Sequence, residues 1–416
     1  MQTSRFFFPT LLILALTTLG PWSAQAQDLS IDILHTFTGP PDGAEPNPLI
    51  RDAEGNLYGT TAGGGVLGCP MGQSSCGTVY KITKDGHYTI LYEFKGGSSD
   101  GGVPISGVTR DAAGNLFGTT GGINGTPSTI YEITNRGKEK ILRFLTNFSD
   151  GAAANSAPTL DAKGNLFGNT SYGGDSSCGF NGNGCGVVYE VQANGTFVLR
   201  YTFTSLANGI EPVGSPVIDS EGNLFGIASL GGDLTCDQPD GCGAVYELGH
   251  TGQYRILHKF TGKSDGAFPA CVMDYGDGSL VGVTEGGGDL SCNFGIGCGT
   301  IFRIDKAGKF KTLYEFTPFT ENNNGHSCLV RDAKGNLYGT NSLGGTHNAG
   351  YLAVLDTAGK YTVLYNFPIA NSSQGGVPLG VVLGPNGEFF GVNAEGGDTN
   401  CGVENSGCGT VFKLAP

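Results

Sequence analysis

From Gly77 to Ile82 the chain alternates small or apolar with polar side chains at a period of two, and after a turn at Gly86 a second such run, Thr89 to Phe94, follows. Alternation over five or six residues between glycine turns predicts short strands with one buried face. Upstream, Pro48 to Arg51 and Leu57 to Thr60 are two further short runs, joined by Asp52-Ala-Glu-Gly-Asn56. That joint predicts a tight turn whose Gly takes positive φ. Four strands therefore fit into fewer than sixty residues, and no segment shows the 3.6-residue period of a buried helix.

The same unit recurs along the chain. Asp111-Ala-Ala-Gly-Asn-Leu-Phe-Gly-Thr-Thr120 and Asp161-Ala-Lys-Gly-Asn-Leu-Phe-Gly-Asn-Thr170 repeat Asp52 to Thr61, and further copies start at Asp219, Asp274, Asp332 and, degenerately, Gly384. The turn Gly stands at 55, 114, 164, 222, 278, 335 and 387, a spacing of 50 to 59 residues. Strand four is expected to end in a core Phe in each unit: Phe94, Phe144, Phe203, Phe260, Phe316 and Phe367. Four-stranded units of this length predict an all-β fold of propeller type, each blade burying its faces against its neighbours. A linear β-solenoid is the competing architecture, and the termini choose between them. Unit seven stops after its third strand, Thr410 to Leu414, while Ile31 to Phe37 is a fourth strand with no unit of its own. A ring uses that arrangement by pairing the N-terminal strand into the last blade, which removes an open edge. We expect a seven-bladed β-propeller, one domain over residues 27–416, with blades of about 38–94, 95–144, 145–203, 204–260, 261–316, 317–367 and 368–416 plus 31–37.

These repeats resemble the GloVer tandem-repeat family of secreted bacterial proteins, whose unit is Asp-x-x-Gly-Asn-Leu-Tyr-Gly-Thr-Thr, then Gly-Gly, then Gly-Thr-Val-Phe. The likeness spans residues 31 to 416. It implies export and no established activity. Members carry varied C-terminal anchors, and none is seen before Pro416. The Asp-x-x-Gly-Asn-Leu-Tyr turn also resembles, more distantly, the blade turn of NHL-type propellers.

Composition adds a compartment. Arg5, the apolar run Phe6 to Leu19 and Ala24-Gln-Ala26 form a secretory leader over residues 1–26, too short in its apolar part to span a bilayer comfortably. No second long apolar run exists, so no membrane span is expected after cleavage, and the product is secreted, extracellular or periplasmic. The net charge of −14, with 23 basic against 37 acidic residues and no basic cluster, excludes nucleic acid as a natural partner. We expect a monomer. The 73 Gly, a quantity typical of low-complexity sequence, fall instead at fixed repeat positions.

Twelve Cys in an exported chain predict disulfides. Five pairs share a loop between strands two and three: Cys69 and Cys76, Cys178 and Cys185, Cys236 and Cys242, Cys292 and Cys298, Cys401 and Cys408. Units two and six lack both members of the pair. Zinc would ask for closer Cys spacing or a nearby His. Cys271 and Cys328 each stand nine residues before a repeat Leu, so they occupy equivalent inner strands of neighbouring blades, where a sixth bridge would need Cα atoms within about 7 Å.

In such a blade the strand two to three loops and the inter-blade loops share one face of the disc. Long loops on a rigid scaffold are where binding resides, so that face is the candidate site. Two sets of acids decorate it. Asp42, Asp100, Asp150 and Asp265 precede Gly in inter-blade loops, where Asn208, Asn324 and Gln374 stand in other units; Asp175, Asp233, Asp289 and Asp398 follow Gly-Gly. The second set has two readings, oxygen ligands for Ca²⁺ or Asx-turn residues bonding their own backbone. No other cofactor is indicated. Departures from the repeat give a third candidate: Glu285, His326 and His347, from units five and six, with Glu395 in a similar place in unit seven. If they converge, carboxylate and imidazole form an acid/base pair suited to polysaccharide lysis or hydrolysis. Two functions follow, a non-catalytic module binding a glycan or protein on the looped face, and an extracellular polysaccharide lyase or hydrolase. No nucleophile elbow, zinc-protease helix or phosphate loop is present.

Overall fold

The computed structural model describes residues 29–69, 75–97, 99–121, 127–146, 148–179, 182–236, 239–318, 327–401 and 406–416; the leader expected at 1–26 lies outside them. Seven antiparallel sheets follow one another along the chain. Each runs from an inner first strand to an outer fourth, as in Thr159–Leu160, Leu166–Thr170, Val187–Val191 and Phe197–Thr202 of blade three. The last sheet orders Gly376–Leu383, Phe389–Glu395 and Thr410–Ala415 with Ser30–Thr36 on its outside, Ile33 facing Phe412 and Thr36 facing Thr410. The protein is therefore a seven-bladed propeller closed by its N-terminal strand. First strands are less regular than the sequence suggests. They are continuous in blades four, five and seven, whereas in blades two and six the regular strand shrinks to Thr109–Arg110 and Val330–Arg331, with a lone bridge from Pro104 to Thr120 in blade two.

A small-for-large exchange sets the interior. The Gly of strand two faces an aromatic of strand three, and a Cβ on Gly59, Gly118, Gly168 or Gly226 would lie 2.3–2.4 Å from the hydroxyl of Tyr80, Tyr131, Tyr189 or Tyr246. Those four rings are fully buried. Close-packed interiors leave no slack at such a contact, so Gly is required for its missing side chain. The terminal Phe of strand four is equally buried at 37, 94, 203, 260, 316 and 367. Blade two is the exception: its ladder keeps the common register, so Phe144 pairs with Thr129 as Glu93 does with Thr78 in blade one, and Leu145 takes the buried terminal place instead.

Two rings of contacts join the blades. Near the axis, Glu45, Val103, Glu211, Phe268 and Val377 adopt left-handed backbone (φ 54–61°), and each N–H bonds the carbonyl of residue 408, 76, 185, 242 or 349 in the preceding blade. A left-handed φ costs a non-glycine residue about 1–3 kcal/mol, offset here by a hydrogen bond and by the following Pro, which packs on a neighbouring Gly. Further out, the residue two before each terminal position meets the first residue of the next blade's fourth strand. His35 stacks on Tyr88 at 3.7 Å, Tyr201 on Tyr254 at 4.2 Å, His258 on Phe310 at 3.7 Å and Tyr314 on Tyr361 at 4.6 Å, while the Arg143 guanidinium lies 4.6 Å from the Phe197 ring centre. Such pairs are worth about 0.5–1.5 kcal/mol beyond burial.

Candidate functional site: the disulfide-stapled loop face

Inter-blade loops and strand two to three loops lie side by side on one face. The Gly65 N–H bonds the Pro41 and Asp42 carbonyls, and Gly39 lies against Cys401 and Cys408. All five local disulfides form, with Cα separations of 5.1–5.7 Å. The sixth, Cys271–Cys328, joins the inner strands of blades five and six at 5.7 Å, inside the bridging limit. Each staple fixes a loop whose glycines approach one another too closely for any side chain, as at Gly287 and Gly297 or Gly173 and Gly184.

The acids after Gly-Gly serve these loops. Asp175 Oδ1 accepts from the Ser177 N–H and hydroxyl at 2.9 and 2.7 Å; Asp233 does so with Thr235 and Asp289 with Ser291, while Asp398 accepts from the N–H and side-chain amide of Asn400. Hydrogen bonds from Ser177 and Ser291 hold the Asp175 and Asp289 carboxyls below their ordinary range, as those from Thr235 do for Asp233. Each acid thus has one oxygen engaged by its own turn. Among the described residues no three His, Cys, Asp or Glu side chains converge as a metal site.

The inter-blade acids cap their loops in another way. Asp42 accepts from His35 Nε2 at 3.1 Å and from the Thr38 N–H at 3.1 Å, and Asp265 accepts from His258 Nε2 and the Thr261 N–H, each at 3.0 Å. Burial raises both carboxyls, but the hydrogen bonds outweigh it and leave them below the ordinary carboxylate range. Asp150 is paired with Arg143.

Of the acid/base candidates, Glu285 is the last residue but one of the second strand of blade five, between the pairs Thr284–Pro269 and Gly286–Ala267. Its side chain reaches solvent, yet the protein around it is dense enough that desolvation raises its carboxyl above the ordinary range. His347 is exposed, its Nδ1 3.3 Å from the Phe367 carbonyl at the outer end of blade six. His326 lies outside the described residues. Among the described residues no hydrogen bond or ion pair joins Glu285 to His347, and Glu395 lies on the equivalent strand of blade seven, one residue further along.

What marks this face is apolar exposure. Among the described residues eight large apolar side chains are exposed, and all but Leu199 belong to these loops: Val66, Leu67, Leu234, Leu290, Phe294, Ile296 and Ile369. Phe294 is wholly exposed and sits inside the Cys292–Cys298 staple with left-handed φ (56°). On the same face, Glu211 is raised by burial and by the nearby Asp240 charge. Nothing in the repeat foretells two clefts on the opposite, turn-bearing face: one of about 410 Å³ between blades four and five, with Asp219 and Lys306 in its wall, and one of about 920 Å³ between blades six and seven, lined by Tyr338, Leu364 and Leu383 among others.

Fold and repeat together define an all-β propeller built from tandem copies of one unit. The Gloeobacter/Verrucomicrobia repeat matches residues 22–181 and 72–296, and the chain belongs to that family. No curated protein matches it. Among solved structures it is similar to a streptogramin B lyase (13% identity over 93% of this chain and 97% of that one, TM-score 0.59). It is also similar to virginiamycin B lyase from Staphylococcus aureus (14% identity, 93% and 99% coverage, TM-score 0.61). At such identities the likeness is one of fold.

Proposed function

We propose that this chain is an exported, non-catalytic binding module that engages a glycan or protein ligand through its disulfide-stapled loop face. The carrying observation is the one-sided display of apolar side chains, centred on Phe294, Ile296 and Leu290 of blade five. Exposed apolar groups gathered on one face mark interaction surfaces. Disulfides hold these loops in place before any ligand arrives, so less ordering entropy is lost on binding. Six disulfides also fit an oxidising compartment, which supports export. The test is a glycan-array and protein-capture screen run beside reducing-sugar and unsaturated-product assays, with and without EDTA. Binding without turnover is the expected result.

The raised carboxyl of Glu285 favours a second reading, the polysaccharide lyase or hydrolase, because a general acid must keep its proton near working pH. Turnover abolished by Glu285→Gln would establish it in place of the first.

A further inference from the structure

The inter-blade acids follow a charge rule within the molecule. Where the residue two before the terminal position is cationic or can become so, as with His35, Arg143 and His258, the loop carries Asp42, Asp150 or Asp265 and the two pair. Where that residue is Tyr201, Tyr314 or Tyr365, the loop carries a neutral amide, Asn208, Asn324 or Gln374. The junction of blades one and two breaks the rule. Tyr92 meets Asp100, and the place that begins the next fourth strand, aromatic at five junctions and Ile31 at the closing one, holds a second acid, Glu139.

Counting protons there leaves a deficit. The Tyr92 hydroxyl lies 3.0 Å from Asp100 Oδ2 and 2.9 Å from Glu139 Oε2, but it has one hydrogen and can donate to one of them. The Lys95 N–H serves Asp100 Oδ2 as well, at 2.9 Å. Among the described residues Asp100 Oδ1 and Glu139 Oε1 are both buried without a hydrogen-bond partner, the Gly101 N–H beside Glu139 holding its carboxyl down less than burial pushes it up, and Asp100 is only 7% exposed. The other ionisable group facing the pair is the buried Tyr131 on strand three of blade two, while Lys140, next in sequence to Glu139, pairs with Glu132 instead. Buried oxygens without donors are rare because each costs about 1–3 kcal/mol.

We propose that Asp100 and Glu139 share one retained proton, forming an acid–carboxylate pair with Tyr92 that latches blade one to blade two and loosens as pH rises through neutrality. A carboxyl hydrogen supplies the missing donor and lowers the pair's charge from −2 to −1, doing at this junction what His35, Arg143 and His258 do at the others. In agreement, burial and the adjoining Asp100 push Glu139 up to about 7. Because Asp100 also caps the turn in which the Gly96 N–H bonds the Gly101 carbonyl, the latch acts on a loop of the stapled face.

The sign follows from linkage. Unfolded, Glu139 ionises near 4.5; folded, it keeps its proton to about 7. Stability contributed by the pair is therefore greatest below the unfolded value and falls as pH rises between the two. At pH 6 unfolding of the wild-type chain should release about one proton more than unfolding of Glu139→Gln, measured by calorimetry in buffers of different ionisation enthalpy. Glu139→Gln, whose amide donates without titrating, should flatten the fall in melting temperature between pH 5 and 8. Glu139→Tyr, which restores the stacking residue of other junctions, should flatten it too. An infrared carboxylic-acid band present in wild type at pH 6 and absent from Glu139→Gln would agree. Equal proton release and parallel pH profiles in all three proteins would overturn the proposal, as would a wild-type chain whose stability at pH 8 is restored by added Ca²⁺ while the carboxylic-acid band is missing.

Discussion

Replacing Gly168 by Ala tests whether the blades are built on the glycine-for-tyrosine exchange. The new methyl would lie 2.3 Å from the Tyr189 hydroxyl and 2.4 Å from its Cζ, where ordinary contacts begin near 3.4 Å, so a fully buried ring must retreat by about 1 Å. Overpacking of this kind costs about 1–3 kcal/mol. Gly339 holds the same repeat position in blade six, but Ala353 replaces the tyrosine there. Only the end of the Leu329 side chain comes close, at 2.7 Å, beside a small cavity of about 10 Å³ into which it can turn. Neither glycine has positive φ, so both substitutions also gain about 0.4–1 kcal/mol by restricting the unfolded chain. Gly339→Ala should therefore be close to neutral and Gly168→Ala destabilising by about 2 kcal/mol. In a chain of 416 residues that is a fall of roughly 2–3 °C in melting temperature, within reach of differential scanning calorimetry. Tyr189→Ala should be strongly destabilising by itself, and adding Gly168→Ala to it should cost almost nothing more, since the ring is gone. Equal losses for Gly168→Ala and Gly339→Ala would refute the packing argument.

Three further outcomes are expected. Cys271→Ser with Cys328→Ser opens a cross-link spanning 57 residues and should cost up to about 4 kcal/mol in the chain-entropy limit, against about 2.5 kcal/mol for the seven-residue Cys178–Cys185 staple, as read from urea midpoints. Asp265→Asn removes a carboxylate that His258 and Thr261 hold in its charged form; its destabilisation should be full above the unfolded value of 3.8 and vanish as pH falls through the lower folded value, seen in melting curves from pH 7 to 2. Deleting residues 29–37 exposes the Thr410–Ala415 edge, and light scattering should show association that the intact ring does not.

Most of the architecture was legible in the sequence because it is written seven times. Repetition exposed the turn glycines, the alternation of strands three and four and the displaced strand that closes the ring. The Cys pairs were legible because they appear and disappear together. Cys271 and Cys328 could be matched only through the repeat register, which is what brings them to 5.7 Å. Contacts between blades were harder to foresee. His35 gave no sign of its partners, since Tyr88 lies one blade away and the stack depends on how sheets are set around the axis. Phe144 was placed one residue off because the repeat register was anchored on Phe, while the ladder of blade two buries Leu145 in that place. The left-handed residues before proline escaped notice because their types differ, Glu45 and Phe268 among them, and only the backbone is common to them. The clefts on the turn face arise where neighbouring blades part, a property of no single repeat.

The central claim is that ligand is held by the stapled loop face. Binding of the wild-type chain to the ligand recovered from the array or capture screen should be compared with that of Phe294→Asp combined with Leu290→Asp, and with Lys334→Glu combined with Lys360→Glu at the rim of the opposite cleft. The account predicts at least a tenfold loss for the first pair, about 1.4 kcal/mol, and wild-type affinity for the second. Binding that survives the loop-face pair and fails with the turn-face pair would contradict it.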